Sequence, residues 1–311
     1  MTSTPTIPAP DEALRFLDQV RILEDNVDHD IRNSAPQELS FYRLIHLRTW
    51  LRALHLVYQA FPVIERPLRI LELGASPYFF TALLAHHIPC EIVTSTLPAL
   101  TWPGEPLKVR PYSVVIACGD DRPPLRFQTW TFNIEKDNFP FADGSFDLVL
   151  CMEVMEHLTY NPSHTLAETH RVLCPGGKLL VTIPNYLRSQ RIVQVALGRP
   201  DDFPYVGTGI QGRHQRELTY TEVKILLEAC NYHIDYLDVE IVWPWSPAMT
   251  LAGRVFAALL HGFLRLPLAY ARNRRELIIA LATPVGEPRL GYPPQLYDDP
   301  MAFPQEVSFQ R

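Results

Sequence analysis

Two carboxylates and an imidazole lie close together in the segment CMEVMEHL. Glu153, Glu156 and His157 follow the apolar run FDLVL after two residues. Residues three and four apart lie on the same face of a helical turn, so we expect these side chains to point the same way. Two carboxylates and an imidazole on one face can bind a divalent cation or move a proton. This segment is the sharpest local candidate for chemistry in the chain.

A second candidate lies at the end of the apolar run RILELG. The run stops at Gly74, and Ser76 and Pro77 follow before a helical segment begins. We expect Ser76 to cap that helix and Pro77 to be its first residue. A tight passage from strand to helix points backbone N–H groups at the space above the strand end. The sequence therefore predicts an anion-binding turn there.

The elements that position these residues read as an α/β domain. Short apolar runs of the buried-strand type alternate with helical segments: LRILELG, CEIVTSTL, FQTWTFNI, FDLVLCME and KLLVTIP. This alternation predicts a parallel sheet. The segment PYSVVIACGDDRPPLRFQTWTFN instead reads as a hairpin that turns at residues 119–124. Before the first strand, helical spacing of Leu14, Leu17, Val20 and Leu23, and again over residues 44–57, predicts two helices.

Composition narrows the class of protein. The chain has 311 residues, and 28 basic against 34 acidic residues give a net charge of −6. A negative field repels a phosphate backbone, so nucleic acid is not a favoured partner. The five cysteines form no C-x-x-C pair, no apolar run can span a bilayer, and the N-terminus lacks the features of a signal peptide. These features are typical of a cytoplasmic protein without a transmembrane segment.

Four blocks between residues 69 and 185 resemble the class I S-adenosylmethionine-dependent methyltransferases, of the methyltransferase-11/23 type. The first block is ELGASPY, which resembles an acidic residue followed by a Gly-x-Gly-x-Gly turn, although only Gly74 is kept and Ser76 and Tyr78 stand in the other two glycine positions. In the second, NIEKDNFPF, Glu135 stands where the family contacts the adenine amino group. In the third, FDLVLCME, Cys151 stands where the family lines the floor of the site beneath the sulfonium group of S-adenosylmethionine. The fourth block is ETHRVLCPGGKLLVTIPN.

The resemblance implies a Rossmann-like, seven-stranded methyltransferase sheet with helices on both faces and an N-terminal helical cap. It also implies S-adenosylmethionine as cofactor. The family's acidic residue for the ribose hydroxyls is missing from CEIVTSTLP, which offers only Thr94, Ser95 and Thr96. We expect a hydroxyl in its place, with Ser95 as the candidate. The predicted cofactor-binding residues are Glu72, Gly74, Ala75, Ser76, Tyr78, Ser95, Glu135 and Cys151.

The E-x-x-E-H pattern also resembles the metal-binding turn of plant-type small-RNA 2′-O-methyltransferases and of ubiquinone-pathway O-methyltransferases. A further histidine completes the site in those enzymes, and His214 is the candidate here. The predicted ligands of a divalent cation are then Glu153, Glu156, His157 and His214. In metal-free relatives Glu156 instead structures the loop and His157 packs or touches substrate. The catalytic candidates are Glu153, His157 and His214, of which His214 is a general base or a structural histidine.

The resemblance implies domain boundaries and a reaction. We expect a flexible tail over 1–10, a helical cap over 11–65, the methyltransferase domain over 66–285 and a Pro-rich tail over 286–311. The expected reaction is O-methylation of a sugar or small-molecule hydroxyl, as in bacterial polysaccharide or secondary-metabolite pathways. Acceptor specificity is expected in residues 187–212 and the cap, and the amphipathic stretch 250–271 allows a peripheral membrane contact.

Two alternatives stay open. One is an RNA 3′-end 2′-O-methyltransferase with a metal site, which needs basic residues at the mouth of the pocket; the candidates are Arg43, Arg48, Arg272, Arg274 and Arg275. The other is a catalytically inactive methyltransferase fold that binds a partner through its helical cap, which the missing glycines and ribose carboxylate suggest.

Overall fold

The computed structural model describes residues 7–25, 36–96, 109–119, 121–159, 162–198, 214–242, 251–291, 293, 296 and 306–307. For residues 251–254, 256–257 and 306–307 only the backbone is described. Most of the acceptor loop predicted over 187–212 lies outside the described residues. Among the described helices, none is long and apolar enough to cross a membrane.

Helices and strands alternate along the chain, as the apolar runs predict. In order they are α1 (Pro10–Leu17), β1 (Val20–Asp25), α2 (Pro36–Ala60), β2 (Leu68–Leu73), α3 (Phe79–His87), β3 (Cys90–Thr96), β4 (Arg110–Cys118), β5 (Leu125–Thr131), β6 (Phe146–Met152), α4 (Ser163–Val172), β7 (Leu173–Pro184), α5 (Ser189–Ala196), α6 (Tyr220–Ala229), β8 (Tyr232–Glu240), α7 (Leu251–Leu264), α8 (Ala269–Arg272), β9 (Leu277–Pro284), β10 (Leu290–Gly291) and β11 (Glu306–Val307). A 3-10 turn at Met155–His157 follows β6.

The main sheet has the strand order β1-β4-β5-β3-β2-β6-β7-β9-β8. Only β4 and β9 run opposite to the other strands of this sheet. The chain moves from β2 to β3 on one side and later returns to place β6 on the other side of β2. Ligands of open α/β sheets bind at the carboxyl ends of strands where the order reverses in this way. The ends of β2 and β6 therefore mark the expected site.

The predicted fold class is confirmed, but the count of seven strands was wrong. The run β5-β3-β2-β6-β7-β9-β8 supplies seven strands, and β4 and β1 extend the sheet beyond β5. The predicted hairpin over 119–124 is confirmed, since Ile116 pairs with Leu125 at its closed end.

The N-terminal cap differs from the two predicted helices. Helix α1 ends at Leu17, and Val20 and Leu23, which fitted a helical period, belong instead to strand β1. Val20 pairs with Cys118 at the edge of the sheet. The segment VRILED contains β-branched residues, and an unpaired edge strand offers a full row of backbone hydrogen bonds. Long-range pairing therefore decided the conformation of a segment whose local pattern suits a helix.

The core consists of two apolar clusters, one on each face of the sheet. Side chains of α1, α2 and α3 pack on one face, and those of α4 and α6 pack on the other. Successive residues of β2 alternate between them, with Ile70 in the first cluster and Leu71 in the second. Helices on both faces are thus confirmed.

The two predicted tails are partly packed where the structure describes them. Pro8 is buried, and α1 begins at Pro10. At the other end β10 pairs with β11, and the Ser163 hydroxyl donates to the carbonyl of Gly291. A Cβ on Gly291 would lie 2.6 Å from the carbonyl carbon of Ala229. The segment after β9 is therefore fixed against α4 and α6 at this point.

One buried carboxylate connects the beginnings of β2 and β6. The guanidinium of Arg66 donates to both oxygens of Asp147 at 2.7 Å. The backbone N–H of Arg69 donates to the same carboxylate at 2.8 Å. The bonds from Arg66, assisted by the one from Arg69, lower the pKa of Asp147 well below its usual range although burial opposes ionisation. This group fixes the two central strands at the end opposite to the expected site.

Replacing Asp147 with Asn removes the charge and keeps the size of the side chain. We expect Asp147→Asn to lower the free energy of unfolding by about 1.5–3 kcal/mol, as for hydrogen bonds to a charged group. Because the pKa is lowered in the folded state, the contribution is complete above pH ~4 and is lost as the pH falls further. Urea denaturation at pH 7 measures the change.

The matched control is Asp143→Asn. The side chain of Asp143 is 83% exposed although it pairs with Arg171. We expect a change within about 0.5 kcal/mol, as is usual for surface substitutions. Equal losses in both variants would contradict a special contribution from Asp147.

Candidate functional site

The turn after β2 depends on Gly74. Its φ is +66°, a left-handed conformation that favours glycine. The N–H groups of Gly74 and Ala75 donate to the carbonyl of Ser95 at 2.9 and 3.3 Å, which connects the ends of β2 and β3. A Cβ on Gly74 would lie 2.6 Å from Cγ2 of Val154, just beyond β6. Gly74 itself is exposed, so its backbone is accessible at the carboxyl edge of the sheet.

The helix after this turn begins later than predicted. Ser76 is not a helix cap, because α3 begins at Phe79 and Tyr78 is its N-cap residue. The N–H of Tyr78 donates to the carbonyl of Ala75 at 2.7 Å and closes an extra turn before the helix. Ala75 and Ser76 therefore lie in a loop between β2 and α3.

Two predicted cofactor residues lie in the core beneath α2 and α3. Thr81 donates its hydroxyl to Glu72 at 2.6 Å, and burial raises the pKa of Glu72 to about 8. Tyr78 is fully buried, donates to Asp25 at 3.4 Å and packs edge-on against Phe127. The side chains of Glu72 and Tyr78 are therefore engaged within the protein and not at the exposed side of the turn. A tyrosine fits the third glycine position because it is directed into the core.

Ser95 and Glu135 lie at the same edge of the sheet, because β3 pairs with β5 in parallel. Ser95 is buried, and its hydroxyl has no hydrogen bond partner among the described residues. Glu135 is partly buried in the turn after β5. Asn133, which the sequence analysis missed, accepts the Glu135 N–H at 2.9 Å and fixes that turn. Its position directly after an apolar strand is the signal that could have identified it.

A buried acidic group follows β6. Glu156 is 0% exposed, and neither of its carboxylate oxygens has a hydrogen bond partner in the described part of the chain. Burial and then the charge of Glu153 raise the pKa of Glu156 well above its usual range. Cys151 lies beneath, and burial followed by Glu156 raises its pKa as well. An unpaired charge is costly in such a place, so Glu156 is either protonated or balanced by a cation.

The segment around His214 is attached to the same turn. The N–H groups of Gln215 and Arg216 donate to the carbonyl of Glu156 at 2.6 and 3.1 Å. The rings of His157 and His214 lie 4.9 Å apart, and one ligand atom from each of Glu156, His157 and His214 lies within 4.8 Å of the others. The structure thus brings together three of the four predicted metal ligands.

His214 is held from behind by a buried ion network. Its Nδ1 lies 2.9 Å from Oε1 of Glu217. Arg191 donates to Glu217 at 2.6 Å, and Arg188 contacts the same carboxylate. Burial opposes ionisation of Glu217, but the bond from His214 and the charges of both arginines lower its pKa. The position of the His214 ring is therefore fixed by several contacts.

The fourth predicted ligand, Glu153, has another partner. Nδ1 of His46 on α2 lies 3.0 Å from Oε2 of Glu153. Tyr42, one helical turn earlier, is half-buried, and burial followed by the charges of Glu153, Glu156 and Glu72 raises its pKa. The sequence analysis missed Tyr42 and His46. Their spacing of four residues, continued by Trp50, is a ring stripe on one helix face that could have indicated them.

Part of the chain is similar to known methyltransferases. Residues 116–181 match the family model described as a methyltransferase domain. A probable S-adenosylmethionine-dependent methyltransferase of Mycolicibacterium smegmatis is 31% identical over 96 residues, which cover 31% of this chain and 32% of the relative. The predicted resemblance to the class I S-adenosylmethionine-dependent methyltransferases is confirmed over this part of the chain, which is similar to a methyltransferase domain.

Other matches cover different shares of the chain. An uncharacterized protein of Methanocaldococcus jannaschii is 46% identical over 48 residues, 15% of this chain and 20% of that protein. The crystal structure of an S-adenosylmethionine-dependent methyltransferase from Methanosarcina mazei has a TM-score of 0.45 at 16% identity, covering 75% of this chain and 98% of that one. The matched residues thus span about a third and a fifth of the two sequence relatives.

The close approach of Val154 to Gly74 gives a stability prediction. Gly74→Ala should lower the free energy of unfolding by about 1–2 kcal/mol, because a residue with a Cβ is strained in the left-handed conformation. The overlap of the new Cβ with Val154 should lower it further. Gly176→Ala is the matched control, since its φ is +78° and a Cβ there meets nothing within 4 Å. Urea denaturation should show a larger loss for Gly74→Ala than for Gly176→Ala.

A double-mutant cycle isolates the contact. Adding Val154→Ala to Gly74→Ala should recover part of the loss, because the opposing Cγ2 is removed. If the two substitutions are additive, the turn does not depend on this approach.

Proposed function

We propose that this protein is an S-adenosylmethionine-dependent methyltransferase that methylates a hydroxyl group of a sugar or small molecule. The observation that carries the proposal is the exposed, left-handed Gly74 turn where the strand order reverses. Strand β6, which pairs with β2 beside this turn, lies within residues 116–181 that match a methyltransferase domain. Adjacent strand ends supply polar groups that suit a nucleoside.

The residues at this edge fit the cofactor in three places. The N–H groups of Gly74 and Ala75 already donate to the Ser95 carbonyl, so Ser76 is the residue of this turn suited to offer an N–H to the carboxylate of a methionine moiety. The unpartnered, buried hydroxyl of Ser95 is suited to a ribose hydroxyl. Glu135 is suited to an adenine amino group, because a carboxylate accepts hydrogen bonds. Cys151 remains a candidate for the floor of the site, whereas Glu72 and Tyr78 act by supporting the turn from the core.

The cofactor supplies an electrophilic methyl group on a positively charged sulfur. Transfer to a hydroxyl oxygen needs the oxygen, the methyl carbon and the sulfur in line, so most of the protein's contribution is alignment. The chain must also remove the hydroxyl proton and exclude water. The acidic and imidazole groups after β6 are suited to these tasks.

Binding of S-adenosylhomocysteine tests the cofactor site. Isothermal titration calorimetry should detect binding to the wild type, and Glu135→Gln should weaken it about tenfold through loss of a charge-assisted hydrogen bond. Lys136→Gln, in the same turn, is the control and should bind as the wild type does. No binding at millimolar ligand would contradict the proposal and favour the inactive interaction protein.

We also propose that Glu156, His157 and His214 hold a divalent cation. Two imidazoles and a carboxylate are common ligands of ions such as Zn²⁺ and Mn²⁺. The carboxylate of Glu156 supports this, since its oxygens have no hydrogen bond partner among the described residues and the nearest cationic group is the His157 imidazole, 4.0 Å away. When bound, such an ion would polarise an acceptor hydroxyl. Glu217 behind His214 would orient that imidazole.

Chelation and an isosteric substitution test the cation. Adding Mn²⁺ after treatment with EDTA should raise the melting temperature of the wild type and should have no effect on Glu156→Gln, which lacks the charged ligand. His233→Ala, at an exposed histidine on β8, is the control and should respond as the wild type does. An equal response in Glu156→Gln, or none in the wild type, would contradict the cation site.

The charges around the site favour a small acceptor over RNA. Of the five arginines proposed for an RNA mouth, Arg43 pairs with Asp18 at 3.0 Å and Arg272 pairs with Asp238. Arg275 donates to the carbonyls of Leu264 and Val239. The two ion pairs balance the charges of Arg43 and Arg272, and the bonds to the carbonyls occupy N–H donors that Arg275 would need to bind a phosphate. Transfer of labelled methyl groups to catechol, methyl α-D-glucopyranoside and an RNA oligonucleotide distinguishes the acceptor classes.

Two further proposals concern the cellular compartment of the protein and its contact with a membrane. All five cysteines are unpaired, which is compatible with the reducing cytoplasm. Val255 and Leu259 of α7 expose apolar side chains, so a peripheral membrane contact through 250–271 stays a proposal.

A further inference from the structure

Helix α2 brings an imidazole to the carboxyl edge of the sheet. His46 lies about one turn before Trp50 and about two turns before Ala53, which are both in the core, and its Nδ1 contacts Glu153 at 3.0 Å. Glu153 follows the last residue of β6, one strand away from the Gly74 turn. This pair therefore joins the cap to the strand ends that surround the proposed methyl donor.

The ring of His46 is held between aromatic neighbours on its own helix. The ring centroids of Tyr42 and Trp50 lie 4.2 and 5.8 Å away. The side chain is 12% exposed. Among the described residues, Nε2 on the other side of the ring has no hydrogen bond partner. The ring is thus fixed at one nitrogen by a carboxylate, and the other nitrogen is not engaged by the described chain.

The backbone of Glu153 is adapted to this contact. Its φ is +53°, a left-handed value that is uncommon for a residue other than glycine. Its N–H donates to the carbonyl of Thr182 at 2.9 Å, which holds the residue at the end of β6. Non-glycine residues in this conformation are concentrated at functional sites. The left-handed conformation of Glu153 turns the backbone away from the direction of β6, and the Glu153 carboxylate contacts His46 on α2.

We propose that His46 is the base that takes the proton of the acceptor hydroxyl, and that Glu153 orients it. This inference rests on the proposed function. As the oxygen forms its bond to the methyl carbon, the bond from carbon to sulfur breaks and its electron pair stays on sulfur as a neutral thioether. The hydroxyl proton moves to Nε2 of His46. Glu153 accepts the Nδ1–H bond and stabilises the imidazolium that results.

The arrangement also explains why His46 suits this task better than His214. His214 uses Nδ1 to contact Glu217, whose charge two arginines already balance. It also belongs to the group proposed to hold a cation, where an imidazole must stay neutral to bind. Glu153 carries no arginine or lysine partner among the described residues, so its carboxylate is available to an imidazolium.

Chemical rescue tests the role of His46. With labelled S-adenosylmethionine and whichever of catechol and methyl α-D-glucopyranoside is methylated, His46→Ala should lower kcat by about 100-fold or more, the usual contribution of a general base. Added imidazole should restore a large part of kcat in His46→Ala and none in the wild type. Glu153→Gln should lower kcat without rescue. His55→Ala, further along α2, is the matched control and should retain kcat.

Calorimetry in the same variants separates the proposal from a structural role. Binding of S-adenosylhomocysteine to His46→Ala should stay close to that of the wild type. A kcat close to that of the wild type, or a loss of kcat that imidazole does not rescue and that follows a loss of binding, would overturn the role of His46 and leave the proposed function intact. Failure of the wild type itself to bind S-adenosylhomocysteine would overturn both.

A second measurement needs no acceptor. Nitrogen NMR of histidine-labelled protein with bound S-adenosylhomocysteine reports which ring nitrogen of neutral His46 carries the proton, with assignment from His46→Ala. We expect the proton on Nδ1 in the wild type and a mixture of tautomers in Glu153→Gln. A proton held on Nε2 in the wild type would contradict the proposal, since that nitrogen could then not act as the base.

Discussion

The site depends on how closely the ends of β2 and β6 approach each other. At their beginnings Asp147 holds both strands through Arg66 and Arg69. At their carboxyl ends the approach is so close that a Cβ on Gly74 would overlap Val154. The parallel pairing between these strands fixes both ends at once. The Gly74 turn, the acidic groups after β6 and the helix that covers them take their positions from this pair of strands.

Burial controls the charges around this edge. Glu72 and Glu156 lie in the protein interior, and burial raises the pKa of each carboxyl group. Glu72 has a hydroxyl partner in Thr81, whereas the carboxylate of Glu156 has none in the described part of the chain. Glu153 is more exposed and is paired with His46. Three acidic residues near one another thus have three different environments, and this difference is what allows them different roles.

The sequence predicted the order of the central elements because apolar runs and turns are local signals. The parallel strands and the β4–β5 hairpin lie where the patterns indicated. It did not predict β1, because Val20 and Leu23 fit a helical period. The strand conformation of this segment is stabilised by its pairing with the edge of β4, which the local pattern does not show. It also missed His46, since the partner of that residue lies more than a hundred positions away along the chain.

The sequence by itself determined the class of domain and most of the candidate residues, because strand ends and motif spacing are properties of short segments. Tertiary structure alone decided which of those residues face the site. The side chains of Glu72 and Tyr78 lie in the core. Glu156 lies beside His157 and His214, and Glu153 contacts His46 of α2. The physical reason is that side-chain direction depends on backbone turns and on packing between distant segments. A single residue in the left-handed conformation, at Gly74 or Glu153, redirects the chain in a way that no local pattern reveals.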